Sequence, residues 1–171
     1  GCDLVYRRSV TLPEDWQGGR VLLHIDAADQ HLSCWVNGKD VGRHRGGYDN
    51  ILFDITDFLE GNVADLKLIC RDDLKDASMP YGKQVMKPGG MWYTPVSGIW
   101  QSVWLESVPE NYIHGITLDC DLNGVTITLE GIDGGFIADI DGKKTTFGGN
   151  SGRLTIEDPI LWTPEQPHLY P

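Results

Sequence analysis

Short stretches of alternating apolar and polar residues recur along the first part of the sequence, separated by turn residues. This rhythm predicts antiparallel strands of an all-β sandwich or barrel. Glycine supports the prediction, since its 21 positions recur with Asn and Asp, as short connections between many strands require. The predicted strands cover residues 4–12, 21–27, 32–37, 51–55, 66–70 and 99–108.

One predicted strand shows how its faces divide. Leu32, Cys34 and Val36 alternate with Ser33 and Trp35. Successive side chains of a strand point to opposite faces, so the first three are expected to share one face and the other two the opposite face. Tryptophans in predicted strands are interpreted as packing residues: Trp35, Trp100 and Trp104.

Asn37-Gly38 is the clearest local signal. The pair separates two strand-like segments. Asn and Gly both tolerate positive φ, so the dipeptide predicts a two-residue type I′ hairpin.

The alternation disappears between residues 72 and 97, where Pro and Gly are frequent. Loops of this length are usually functional or disordered. The aromatic residues of this segment, Tyr81, Trp92 and Tyr93, could pack against the face of a sugar or in a domain interface. Both interpretations stay open.

A domain boundary is expected near Pro109, which divides the chain into residues 1–109 and 110–171. The second part has a shorter rhythm, typical of an immunoglobulin-like β-sandwich. Its predicted strands cover residues 113–118, 125–129, 136–140, 144–147 and 153–156.

Charge excludes some partners. The formal net charge of -11 would repel nucleic acid and an anionic membrane surface, and the apolar runs are too short to span a bilayer.

The four cysteines, Cys2, Cys34, Cys70 and Cys120, lack a CxxC spacing. Buried thiols are therefore expected for Cys34 and Cys70, with zinc or a disulfide as the alternative.

No complete catalytic site is predicted. The Ser151 turn lacks the last glycine of a nucleophile elbow. Asp139 and Asp141 make only part of a calcium loop. Asp72 and Asp73 are adjacent, so in an extended chain they point apart and cannot form a glycosidase carboxyl pair. We therefore expect no catalytic residue, metal or cofactor.

A series of motifs carries a family resemblance through its order and spacing. The motifs are Tyr6-Arg7-Arg8, Leu12-Pro13, Trp16, Val21-Leu22-Leu23-His24, Trp35-Val36-Asn37-Gly38, His44, Gly46-Gly47-Tyr48, Phe53-Asp54-Ile55-Thr56, Gly82-Lys83-Gln84 and Ser97-Gly98-Ile99-Trp100-Gln101-Ser102-Val103-Trp104-Leu105-Glu106. Together they resemble the N-terminal jelly-roll, or sugar-binding domain, of glycoside hydrolase family 2, which includes β-galactosidases and β-glucuronidases. Residues 110–171 are similar to the immunoglobulin-like domain that follows it.

The resemblance implies a galactose-binding-like jelly-roll followed by part of an immunoglobulin-like sandwich, with further strands of both domains outside residues 1–171. It implies a retaining β-glycosidase whose acid/base and nucleophile glutamates lie in a C-terminal TIM barrel. The expected partners are that barrel and a carbohydrate substrate. In the family, an acidic residue after the strand matching residues 66–70 faces the sugar. The candidate substrate-binding residues are Asp72, Asp73, Gln84, Trp92 and Tyr93.

Two other functions remain as alternatives. The aromatic residues of the long loop, Tyr81, Trp92 and Tyr93, would suit a freestanding carbohydrate-binding module, and the segment would also suit a structural spacer or dimer contact. The sequence leaves open the sugar, the oligomeric state, where a homo-oligomer is one option, and the compartment, where the cytoplasm is favoured over secretion or the periplasm.

Overall fold

The structure is a computed structural model that describes residues 3–16, 18–74, 76 and 78–171. It is all-β, as predicted, and divides into two compact units, Gly1–Glu110 and Asn111–Pro171. Among the described residues, no helix is long and apolar enough to cross a bilayer.

The first unit contains two larger sheets and a short strand pair. The four-stranded sheet has the order β1-β7-β4-β5, the three-stranded sheet β6-β2-β9, and β3 pairs with β8. Short 3-10 turns cover Glu14–Trp16 and Thr56–Phe58. The strands are β1 (Asp3–Thr11), β2 (Arg20–Ile25), β3 (Ala28–Asp29), β4 (His31–Val36), β5 (Lys39–Arg45), β6 (Ile51–Asp54), β7 (Val63–Arg71), β8 (Gly98–Ile99) and β9 (Val103–Val108).

The core of this unit lies between the apolar faces of the two larger sheets. Leu32, Cys34 and Val36 are at most 1% exposed, which confirms the predicted alternation of β4. They join Leu23 and Ile25 of β2 in one buried cluster. Period-two alternation therefore divides the two faces of β4 as the sequence predicts.

Cys34 and Cys70 are buried and have free thiols, as expected. Burial raises the pKa of the Cys34 thiol to about 12, with a smaller contribution from the charge of Asp40. Burial likewise raises the pKa of the Cys70 thiol to about 11, and the charge of Asp29 adds to it. Cys120 is exposed, and Cys2 lies outside the described residues.

The Asn37-Gly38 hairpin is confirmed. Val36 pairs with Lys39 across it, and the two turn residues have φ angles of 50° and 77°. The Asn37 side chain also donates hydrogen bonds to the carbonyls of Phe58 and Val63, at 2.9 and 3.1 Å. The turn residue therefore anchors the hairpin to a distant part of the chain as well.

The single strand predicted over residues 99–108 is wrong. The structure has β8 and β9 instead, separated by Trp100, Gln101 and Ser102. The reason lies in their partners: β9 pairs with β2 and β8 with β3, and the chain turns between β2 and β3. Because β2 and β3 are separated by this turn, the strands that pair with them, β9 and β8, are separated as well.

Trp100 and Trp104, interpreted as packing residues, do pack against neighbouring rings, but they do so at the surface and not in the core. They are 48% and 43% exposed. Trp104 stacks on His24, with ring centroids 3.7 Å apart, and donates to the Asp26 carboxylate at 3.0 Å. Trp35 is half-buried, so strand position alone does not make a tryptophan a core residue.

The second unit has smaller sheets, ordered β10-β11-β14 and β12-β13. Its buried residues are Val125, Ile127, Leu129, Ala138 and Leu154. The strands are β10 (Gly115–Asp121), β11 (Gly124–Glu130), β12 (Phe136–Ile140), β13 (Lys143–Phe147) and β14 (Ser151–Thr155), each overlapping a predicted strand.

Candidate functional site

Polar residues from distant parts of the first unit meet where β3 and β8 pair. Asp29 of β3 lies opposite Gly98 of β8. Ser97 immediately precedes β8, and Asp72 follows the end of β7. The long segment between β7 and β8 supplies Gln84. We call Asp29, Asp72, Gln84 and Ser97 the acidic site.

Asp72 is the most enclosed carboxylate of the site. The residue is only 8% exposed. One carboxylate oxygen, Oδ2, accepts a hydrogen bond from the Ser97 hydroxyl at 2.8 Å. The other, Oδ1, is buried and has no hydrogen-bond partner in the part of the chain that the structure describes. An unpaired buried acceptor is costly, so Asp72 retains a strong capacity to accept a further hydrogen bond.

Asp29 is the second carboxylate. Burial raises the pKa of its carboxyl group, and the neighbouring charge of Asp72 raises it further. A hydrogen bond from Gln84 opposes both effects. The Oε1 atom of Gln84 accepts the Val96 N–H at 2.5 Å, which fixes the amide between the loop and Asp29.

A small cleft of about 240 Å³ opens beside Asp29 and Gln84. Trp100 borders it and donates its indole N–H to the Gly47 carbonyl at 2.8 Å. Tyr48 meets Trp100 edge to face, with centroids 5.9 Å apart. The lining residues are Asp29, Gly47, Tyr48, Gln84, Val96, Ser97, Gly98 and Trp100.

Gly47 packs closely against the Asp29 side chain. A Cβ atom at this position would lie 2.8 Å from the Asp29 Oδ1 atom, closer than side-chain carbons approach. The site therefore combines carboxylate acceptors, one amide and two aromatic rings. These groups can accept hydrogen bonds from the hydroxyl groups of a ligand, while an aromatic ring packs against an apolar face of that ligand.

The structure brings together some of the residues selected from the sequence. Asp72 and Gln84 both belong to the acidic site. Tyr93 reaches it through its backbone, pairing with Gln84 and donating its N–H to the Lys83 carbonyl at 2.8 Å. Its side chain is 65% exposed, and that of Trp92 is 45% exposed.

Asp73 lies apart from the acidic site. It lines a groove on the other side of the four-stranded sheet, with Asp3, Trp35 and Arg71 among the neighbouring lining residues. The two adjacent aspartates thus diverge, as an extended backbone requires. Only Asp72 faces the cluster that contains Gln84 and Ser97.

Sequence reasoning did not select Asp29, Tyr48 or Trp100 for this site. Tyr48 and Trp100 occur in motifs that carried the family resemblance, which was their only signal. Asp29 follows Ala27 and Ala28 at the edge of the core, a common position for a solvated residue. Only the β3–β8 pairing shows that it faces Asp72 and Gln84.

The described side chains of the acidic site do not form a dense cluster of metal ligands. Within the described ranges, no cluster of three or more His, Cys, Asp or Glu side chains is arranged to hold a metal ion. The two carboxylates of the acidic site are accompanied by an amide and a hydroxyl.

The comparisons with known proteins define the class of this β-sandwich. Residues 2–109 match the family described as "Glycosyl hydrolases family 2, sugar binding domain". The chain belongs to this family, which confirms the resemblance of its motifs.

Similar proteins include the β-glucuronidase of Paenibacillus borealis, 28% identical over 98% of this chain and 32% of that protein. A β-galactosidase of Thermoanaerobacter pseudethanolicus is 23% identical over 96% of this chain and 25% of that protein. The solved Ruminococcus gnavus β-glucuronidase in complex with N1-substituted uronic isofagomine matches with a TM-score of 0.80 and 22% identity, over 98% of this chain and 32% of that one. That likeness shows the fold. This chain spans about a quarter to a third of these relatives.

Proposed function

We propose that this chain is the non-catalytic, sugar-binding part of a glycoside hydrolase that cleaves β-linked sugars with retention. The acid/base and nucleophile glutamates would belong to a TIM barrel outside residues 1–171. In this assignment residues 1–109 form the jelly-roll domain and residues 110–171 belong to an immunoglobulin-like domain. Family membership and the partial coverage of the relatives support the proposal.

The acidic site is the observation that carries the proposal. Carboxylates accept charge-assisted hydrogen bonds from hydroxyl groups, and these are stronger than bonds between neutral groups. The Oδ1 atom of Asp72 is buried and has no hydrogen-bond partner among the described residues, and burial raises the pKa of Asp29. We assign Asp72, Asp29 and Gln84 to the rim of the active site, where they would orient a sugar hydroxyl.

Kinetics of the natural full-length protein test this role. We expect Asp72→Ala to reduce transition-state stabilisation, calculated from kcat/KM for an aryl β-glycoside, by about 1–3 kcal/mol, because a hydrogen bond to a buried charged group is lost. Asp73→Ala is the matched control, since that carboxylate lies on another surface. Unchanged kinetics for both Asp72→Ala and Asp29→Ala would remove the rim role, provided that the variants stay folded.

The intact mass of the natural protein tests the larger assignment. A TIM barrel adds about 250 residues. A natural protein that exceeds this chain by at least that amount agrees with the glycosidase assignment. A natural mass near the 19.0 kDa of this chain contradicts it.

A freestanding carbohydrate-binding module is the second candidate function. The exposed rings of Trp92 and Tyr93 favour it, because aromatic faces bind apolar sugar faces. Calorimetric titration of the 171-residue chain with neutral oligosaccharides distinguishes it. A freestanding module should bind without a barrel and lose binding in Trp92→Ala, while Met86→Ala, an exposed residue of the same loop, should bind normally.

A further inference from the structure

The outer face of the four-stranded sheet carries a row of side chains that the proposed function does not use. Arg7 of β1 pairs with Lys67 of β7, and Lys67 pairs with Trp35 of β4. Leu66 and Leu68 on either side of Lys67 are buried in the core, so the row faces outward. It crosses three strands, which separates its ends by roughly 10 Å. We call Arg7, Lys67 and Trp35 the basic row.

The aromatic member of this row is held in place. The Lys67 Nζ atom lies 4.9 Å from the centroid of the Trp35 ring, a cation–π distance. Trp35 is half-buried, since the sheet beneath it covers part of the indole. The row therefore presents an ordered indole beside two positive charges.

Carboxylates of the described residues do not pair with these charges. Among the residues that the structure describes, neither Arg7 nor Lys67 has a carboxylate within 4.0 Å, and the same holds for the adjacent Arg8. Other arginines of the same sheet are paired: Arg71 with Asp3, Arg43 with Asp40 and Arg45 with Asp76. The whole chain has a net charge of -11, so the positive charges of Arg7, Arg8 and Lys67, which lack a carboxylate partner among the described residues, are a local feature.

The row borders a groove of about 480 Å³. Among its lining residues, Arg7, Lys67 and Trp35 belong to the basic row, and Asp65 is the single carboxylate. This volume lies within the range of small-molecule sites. The lining residues are Arg7, Arg8, Ser9, Trp35, Gly38, Asp65, Leu66 and Lys67, and it shares none of them with the cleft of the acidic site.

We propose that this groove is a second carbohydrate site, which binds an oligosaccharide that carries uronate groups. The sugar carboxylates would pair with Arg7 and Lys67, while a pyranose face packs against the part of the Trp35 indole that Lys67 does not cover. Arginine and lysine recognise carboxylates through charge-assisted hydrogen bonds, and the indole supplies a flat apolar surface. A simple phosphate ion would leave the indole without a partner.

Two other anionic occupants fit the molecule less well. Duplex nucleic acid carries one charge about every 1.7 Å and would be repelled by the acidic remainder of the chain. A second copy of this chain also carries a net charge of -11. A short ligand with widely spaced carboxylates avoids this repulsion, because only the basic row meets its charges.

Titration of the 171-residue chain with tetragalacturonate tests the proposal, followed by calorimetry and by the NMR signal of the Trp35 indole N–H. The carboxyl-reduced tetrasaccharide is the matched neutral ligand. We expect the uronate ligand to bind, the neutral one to bind at least about fivefold more weakly, and the difference to shrink as salt rises from about 50 to about 500 mM.

The variants separate this groove from general charge effects. Arg7→Ala/Lys67→Ala should weaken tetragalacturonate binding about fivefold, as expected for the loss of two exposed ion pairs. Lys143→Ala/Lys144→Ala removes the same charge from the second unit and should leave the affinity unchanged. Circular dichroism checks that each variant is folded.

Several outcomes would overturn the proposal. These are equal affinity for the charged and neutral tetrasaccharides, an equal loss in both double variants, or a Trp35 indole signal that does not move. Displacement of tetragalacturonate by an equal concentration of a short DNA duplex would identify a general polyanion surface instead. None of these results would affect the role assigned to Asp72, which is tested by catalysis at a separate site.

Discussion

The two units differ in how completely they cover their apolar faces. In the first, Leu23, Ile25 and Cys34 are fully buried between two sheets. In the second, Ile116 and Leu118 of β10 are 61% and 59% exposed. They pair with Leu129 and Ile127, so they lie on the side of the sheet that bears the core.

This difference explains where a buried polar site can form. Burying a charged group is costly unless well-packed surroundings hold its partners in place. The first unit provides such surroundings for Asp72 and Asp29. The second buries fewer apolar side chains, and its ion pair between Arg153 and Asp121 lies at the surface. The four predictions below test this contrast.

Cysteine reactivity should show the largest difference. The thiolate is the nucleophile, and burial raises the pKa values of Cys34 and Cys70 to about 12 and about 11. In a Cys2→Ser background near pH 8, we expect Cys120 to react with a disulfide reagent at least about a hundredfold faster than either. Peptide mass mapping over time measures this. A reaction rate of Cys34 comparable to that of Cys120 would show that the disulfide reagent reaches the core of the first unit.

Core truncation should give the next largest effect. Leu23 is 0% exposed, so Leu23→Ala should lower the free energy of unfolding by about 2–5 kcal/mol. Ile116→Ala should change it by less than about 0.5 kcal/mol, because its side chain remains largely in water. Urea unfolding followed by tryptophan fluorescence compares them. A large cost at Ile116 would mean that β10 is covered in solution.

Removing one hydroxyl tests the acidic site directly. Ser97→Ala leaves the buried Asp72 carboxylate without its 2.8 Å hydrogen bond and should cost about 1–3 kcal/mol of unfolding free energy. Ser151→Ala is the matched control in the second unit, since it removes an exposed hydroxyl contact with Thr128. Equal effects would contradict the distinction between a buried and a surface site.

The pH dependence should differ in sign between the units. The pKa of Asp29 is raised by burial, so the folded state holds its proton more tightly than the unfolded state. Its contribution to stability therefore falls as pH rises from about 3.9 through the raised pKa. Asp29→Asn should be more stable than the parent at neutral pH and equal to it below about pH 3.

Asp121 provides the opposite case. The hydrogen bond from Arg153 lowers the pKa of its carboxyl group, so its contribution is present above the unfolded pKa and is lost as pH falls through the folded one. Asp121→Asn should lose stability at neutral pH. Urea titrations at both pH values compare the two variants, and a loss of stability in Asp29→Asn would contradict its raised pKa.

Much of the fold follows from local patterns. Alternation predicts the faces of β4, and the Asn37-Gly38 dipeptide predicts its turn, because both depend on residues close in sequence. The candidate site was only partly predictable. Asp72 and Gln84 were selected through family resemblance, whereas Asp29 and Trp100 were not selected for the site, since their partners lie far away along the chain.

By itself, the sequence determined the all-β class, the strand faces, the hairpin at Asn37-Gly38 and the family. These features depend on side-chain period, backbone preference and motif order. Only the tertiary structure decided that Asp72 turns inward while Asp73 turns away, that β8 separates from β9, and that Arg7, Lys67 and Trp35 form one row. Strand pairing between distant segments sets those outcomes, and no short window of sequence contains both partners.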